Sequence, residues 1–162
     1  MSDAVALPPE EIVAEEPQIP TRRLLVFVLA GHAFACDMEA FREIVPPQSI
    51  TRLPGAPDTV CGLINLRGTI VTVIDGGVTL GRPAYKRDEG LILLVDYLER
   101  FVGIGVDDVR DIQDVPINQF AAVVDGEIPV AGAVTGAVEI DGERVLVLDI
   151  RTVVHQVIGQ GR

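Results

Sequence analysis

The chain has 162 residues, 48% of them apolar and 23% charged, with a formal net charge of −11 at pH 7. That length suits one domain able to bury about two thirds of its unfolded surface, and the longest apolar runs, such as Leu24 to Ala30 and Leu91 to Val95, are far too short to cross a bilayer. Thirteen Lys and Arg spread among 24 acidic residues argue against nucleic acid and anionic membranes as partners, because phosphate binding draws on clustered cations.

In chain order, residues 1 to 20 come first, with four prolines, five carboxylates (Asp3, Glu10, Glu11, Glu15, Glu16) and no basic residue. Such a segment buries too little surface to offset its ordering entropy and is expected to be a flexible tail. It has no basic n-region followed by an apolar h-region, so no secretory leader is suggested and the cytoplasm is the expected compartment. From Thr21 the pattern changes to short runs rich in Val, Ile, Leu and Phe, separated by Gly, Asp, Asn or Pro, the pattern of a barrel or sandwich. Strands are expected over 23–29, 33–37, 42–45, 61–66, 69–74, 90–97, 100–106, 109–113, 130–140 and 143–149. Short helical pieces are expected over Asp37 to Phe41, Pro57 to Val60 and Arg151 to Val157. Cys36 and Cys61 form neither a metal pattern nor a disulfide framework and read as small buried apolar residues.

The chain repeats itself. Gly62 to Asp75 (GLINLRGTIVTVID) aligns without gaps onto Gly136 to Asp149 (GAVEIDGERVLVLD) at an offset of 74, and each copy reads as strand, two-residue turn, strand. Upstream, Leu24 to Phe34 resembles Leu91 to Phe101, and Phe41-Arg42-Glu43-Ile44 resembles Val109-Arg110-Asp111-Ile112, in the same order. Two copies of a five-stranded unit follow, near 22–81 and 90–156, joined by the polar stretch Gly81 to Gly90, with strands free to be exchanged between them. Five short strands close readily into a small barrel, because closure removes unpaired edges. The expected fold is therefore all-β, two small barrels with a few short helices.

One residue departs from the repeat. The second copy turns at Asp141-Gly142, which suits a type I′ hairpin, whereas the first turns at Arg67-Gly68. Arginine gains nothing from the left-handed region, where it loses about 1 kcal/mol or more relative to glycine or asparagine. A guanidinium held outward on a rigid turn, with its planar fork of donors, suits a protein interface; the bland alternative is a solvated surface arginine in a turn of another shape.

The run Gly62 to Asp75 resembles the signature strand pair of the CheW-like family of bacterial chemotaxis adaptors. Leu24 to Phe27, Phe41 to Ile44 and Val102 to Val109 resemble further pieces of that family, and with Gly136 to Val154 the likeness extends over residues 21–158, all but the tail. The resemblance implies two intertwined five-stranded SH3-like barrels. It implies a non-catalytic adaptor, without cofactor or metal, bridging the regulatory domain of a chemotaxis histidine kinase and the cytoplasmic coiled-coil tip of chemoreceptors, and recruited to receptor arrays. Carried over by position, it places Arg67, Asn65, Leu66 and Gly68 in the contact region with Glu43 and Ile44 close by, and matches Phe41 and Gly62 to positions associated with partner binding. Thr72 stands where the family commonly has proline and Gly76-Gly77 where a leucine is usual; the glycines are expected to loosen the segment after the strand.

Other constellations carry less. His32, Cys36 and Asp37 contain the atoms of a thiol nucleophile with base and orienter, but strand geometry sets residues 32 and 36 about 13 Å apart. Asp107, Asp108, Asp111 and Asp114 lack the Gly and bidentate Glu of a calcium loop and read as a solvated turn or a rim that steers a basic partner. Gly103 and Gly105 open no helix and read as sites of close backbone packing. Besides the chemotaxis adaptor, the chain is compatible with an accessory pathway of pilus or gliding motility, and with a self-assembling module whose barrels oligomerise by their edges. A small hydrolase or transferase would need titrating groups clustered in one pocket.

Overall fold

The structure, a computed structural model, describes residues 18–124 and 126–159; the expected tail falls outside it except for residues 18–20, which are exposed. Among the described residues, ten strands form two five-stranded sheets: β1 (Thr21–Leu29), β2 (His32–Asp37), β3 (Phe41–Val45), β4 (Val60–Leu66), β5 (Thr69–Asp75), β6 (Leu91–Tyr97), β7 (Arg100–Val106), β8 (Asp108–Pro116), β9 (Val134–Ile140) and β10 (Glu143–Leu148). The sheet orders are β8-β1-β2-β10-β9 and β3-β6-β7-β5-β4. Replacing each strand of the first order by the one five places away in sequence reproduces the second, so the two sheets are copies. Each copy lends its first two strands to the other's sheet: β1 and β2 lie with β8, β9 and β10, while β6 and β7 lie with β3, β4 and β5. The single parallel pair in each sheet, β2 with β10 and β7 with β5, is where lent strands meet their hosts.

The exchange explains the unbroken apolar runs. Leu24 and Val26 of β1 point into one core with Ala33, Ala35, Val115, Val138, Val145 and Val147, while Leu25, Phe27 and Leu29 point into a larger core that takes in both sheets. A strand buried on both faces reads as continuous hydrophobicity rather than alternation. Phe27 and Phe34, opposite each other in the β1–β2 register, stack at 6.0 Å and are fully buried.

Among the described residues, four two-residue hairpins turn through positive φ at both central residues: Ala30-Gly31, Arg67-Gly68, Leu98-Glu99 and Asp141-Gly142. This is the twist that matches flanking strands. Left-handed strain is thus shared by Ala30, Leu98 and Glu99, and strain alone does not set Arg67 apart.

The helical pieces differ from expectation. Asp37 to Phe41 holds a 3₁₀ turn at Met38–Ala40, and the C-terminal helix α2 (Ile150–Val154) runs on as a wider π-turn over His155–Gly159. Pro57 to Val60 forms one turn closed by the Val60 amide on the Pro57 carbonyl at 2.9 Å, no helix, because Val60 already enters β4. The expected strand 130–140 begins only at Val134, since Gly132 turns the chain at φ 74°.

The largest correction concerns Gly76 and Gly77. Both are buried in a short helix, α1 (Gly76–Thr79), capped by the Asp75 carboxylate, whose Oδ1 accepts from the Val78 amide at 3.0 Å and from the Tyr85 amide at 3.1 Å. A Cβ on Gly76 would lie 2.4 Å from the Gly105 carbonyl oxygen, and one on Gly77 would lie 1.9 Å from that of Pro83. The glycines admit neighbouring backbone and tighten the segment instead of loosening it. Gly105 likewise makes room for a side chain, not backbone: a Cβ there would sit 2.1 Å from the Tyr85 ring.

Candidate functional site

The sheet β3-β6-β7-β5-β4 curls until its first strand faces the β4–β5 hairpin, and the residues singled out in the sequence gather at that seam. Arg67, at φ 51°, projects from the hairpin with 67% of its side chain exposed. Its guanidinium forks onto Glu43 of β3, Nη2 donating to Oε1 at 2.7 Å and Nη1 to Oε2 at 3.4 Å. A pair so exposed contributes under about 1 kcal/mol, so its atoms can change partners at little loss. The turn itself is stiffened by Asn65, whose Oδ1 accepts from the Gly68 amide at 2.9 Å, and by Gly68, which takes φ 88° without strain.

Behind the ion pair lies a groove of ≈ 420 Å³ lined by Arg42, Glu43, Leu66, Arg67, Thr69, Val71, Leu94 and Phe101. Its floor is apolar and its rim charged; Arg42 is paired with Asp96 at 2.5 Å. Of the residues marked by sequence, Arg67, Glu43 and Leu66 line this groove, Asn65 and Gly68 hold its turn, and Ile44 stands exposed on β3. Phe41 is half-buried against the shared core. Gly62 is buried and offers no surface to a partner. Sequence reasoning missed Val71, Leu94 and Phe101, which only the curl of the sheet brings to the groove, and it missed Ile70, 60% exposed next to the hairpin. Alternation along Thr69-Ile70-Val71 places Ile70 on the outer face, a signal that was available.

The other constellations are dispersed. Cys36 is buried and its thiol pKa is pushed up to about 12, first by burial and then by the charge of Asp37. His32 is exposed, with Nδ1 on the Ala30 carbonyl, and Asp37 is forked by Arg22 at 3.0 and 2.7 Å. Burial also raises Cys61 to about 11. Neither thiol is a nucleophile at neutral pH. The acidic run divides among separate tasks: Asp107 accepts from the Ala30 and Lys86 amides, and Asp114 pairs with Arg23. Among the described residues no group of three or more His, Cys, Asp or Glu is placed to hold a metal ion. No helix among them is long and apolar enough to cross a membrane.

Known proteins share both the sequence pattern and the fold of this chain. The CheW-like domain matches residues 23–157. The chain belongs to the CheW-like family. It is 30% identical to the chemotaxis protein CheW of Klebsiella aerogenes over 128 residues, 78% of this chain and 77% of that one. To CheW of Bacillus subtilis it is 32% identical over 105 residues, 64% of this chain and 67% of that protein. Among solved structures, the scaffolding protein TtCheW from Thermoanaerobacter tengcongensis superimposes with a TM-score of 0.74 at 25% identity, covering 86% of this chain and 90% of that one. The CheW-like family is one of non-catalytic scaffolds and adaptors, and this chain is a chemotaxis-type adaptor in bacterial signal transduction.

Proposed function

We propose that this adaptor joins the cytoplasmic coiled-coil tip of a chemoreceptor to the regulatory domain of a chemotaxis-type histidine kinase, in the cytoplasm at receptor arrays, and that the Arg67 hairpin with its groove is a contact face. The observation that carries the reading is the Arg67 fork: a type I′ turn presents a mostly exposed guanidinium, paired with Glu43, at the mouth of an apolar groove. An arginine beside a desolvated apolar pocket is the composition of an interface hot spot. The test is a calorimetric titration of the full-length protein into the regulatory domain of its cognate kinase. Arg67→Ala is expected to retain the fold and to weaken binding at least tenfold, about 1.4 kcal/mol; unchanged affinity would refute the assignment of this face.

A further inference from the structure

β3 and the β4–β5 hairpin stand at opposite ends of their sheet and meet because it curls. The Arg67–Glu43 pair is one tie between them. A second runs through the backbone: six residues beyond the end of β3, Thr51 pairs with Leu63 on the outer edge of β4, each amide donating to the other's carbonyl at 2.8 Å. Exposed ion pairs are shared with water and screened by salt, so the backbone pair is the firmer tie.

That tie depends on one residue. Gly62 adopts φ 144°, and a Cβ there would lie 2.1 Å from the Thr51 carbonyl oxygen and 2.8 Å from its carbonyl carbon. Any side chain at this position pushes Thr51 off the strand. The second copy has the corresponding bridge, Ala121 with Ala137 beside Gly136, but there the nearest atom to an added Cβ is the Ala121 oxygen at 3.2 Å, and the φ of Gly136 is not left-handed. The duplicated fold therefore does not require so close an approach. It belongs to the half that carries Arg67.

We propose that Gly62 is a positioning residue for the contact face: by admitting Thr51 to the edge of β4 it keeps β3 against the hairpin, and so holds Glu43 under the Arg67 guanidinium in the geometry a partner meets. Gly62 touches no partner itself. The inference rests on the reading of the Arg67 hairpin as a contact face.

The experiment measures affinity of the full-length protein for the kinase regulatory domain, well below the unfolding midpoint, in Arg67→Ala, Gly62→Ala, Thr51→Pro and the Arg67→Ala/Gly62→Ala double variant, with amide exchange at Leu63 followed in each. Thr51→Pro leaves Gly62 in place and removes the amide that donates to Leu63, so it stands in should Gly62→Ala fail to fold. Expected are losses of fivefold or more for Gly62→Ala and Thr51→Pro, with faster exchange at Leu63. In the Gly62→Ala background, Arg67→Ala is expected to add less than twofold, a coupling that general destabilisation does not produce. Native affinity in Thr51→Pro despite fast Leu63 exchange, or an undiminished Arg67 effect in the Gly62→Ala background, overturns the proposal and leaves the contact face standing. Native affinity in Arg67→Ala alone overturns the contact face, and the proposal with it.

Discussion

At Arg67 and Asp141 the chain turns through nearly the same left-handed angle, φ 51° and 52°, with glycine following each, yet one turn carries a cation and the other an anion. The seams behind the two turns are also closed by opposite arrangements. In the first, a base on the hairpin meets an acid on the edge strand, Arg67 with Glu43; in the second, an acid on the hairpin strand meets a base on the edge strand, Glu143 with Arg110 at 2.9 Å. Duplication preserved the backbone and left the outward charges to diverge. A backbone requirement can be met by many side chains, so the side chain at such a turn reports on what lies outside the fold.

Inside the fold the halves differ as well. Asp75 and Asp149 occupy equivalent positions and both cap a helix, but Asp75 is 1% exposed and also accepts from the buried Tyr85 amide, whereas Asp149 is exposed and accepts from the Arg151 and Thr152 amides. The comparison is sharpened most by removing both carboxylates. Asp75→Ala is expected to lower stability by about 3 kcal/mol, because two backbone amides, one of them buried, lose their acceptor. Asp149→Ala should lose only about 1 kcal/mol, the usual worth of a cap. Urea unfolding of both variants measures the difference, and equal losses would show that the Tyr85 amide's bond to Asp75 adds nothing. Next comes the position two residues on, where Gly77 faces the Pro83 carbonyl and its counterpart Arg151 is exposed. Gly77→Ala should cost about 2 kcal/mol through forced displacement of the linker, and Arg151→Ala less than about 0.5. Linker packing would be ruled out as the reason for the glycine if Gly77→Ala unfolded at the same denaturant concentration as the parent. The smallest effect belongs to the turns themselves. Arg67→Asn is expected to gain about 0.5 kcal/mol, relief of a left-handed arginine outweighing the loss of an exposed ion pair, while binding to the kinase falls. A loss of stability in that variant would mean the Glu43 pair matters to the fold more than its exposure suggests.

Much of this architecture was legible. The GLINLRGTIVTVID and GAVEIDGERVLVLD segments share strand lengths, turn position and the terminal aspartate, and the structure pairs them as β4–β5 and β9–β10 with Asp75 and Asp149 at equivalent caps. The type I′ turn at Asp141-Gly142 followed from its dipeptide, and the structure places both residues at positive φ. What misled was treating positive φ at Arg67 as exceptional: Ala30, Leu98 and Glu99 are placed the same way without any turn signal in their chemistry, because short loops between twisted strands impose it whatever the residue. Gly76-Gly77 misled for the opposite reason, since the freedom of glycine in an isolated chain says nothing about a carbonyl pressed against it.

The all-β class, the duplication and the hairpin that carries Arg67 are written in local periodicity, turn chemistry and repeated order, while the family was legible only through the likeness of Gly62 to Asp75 and its companion segments to a known signature. Only the tertiary structure decided that β1 and β2 lie with the far half, that Glu43 meets Arg67, and that Val71, Leu94 and Phe101 floor one groove. Those facts arise from how two twisted sheets curl and exchange strands to bury apolar faces against each other, a choice made between residues distant in the chain, on which local pattern is silent.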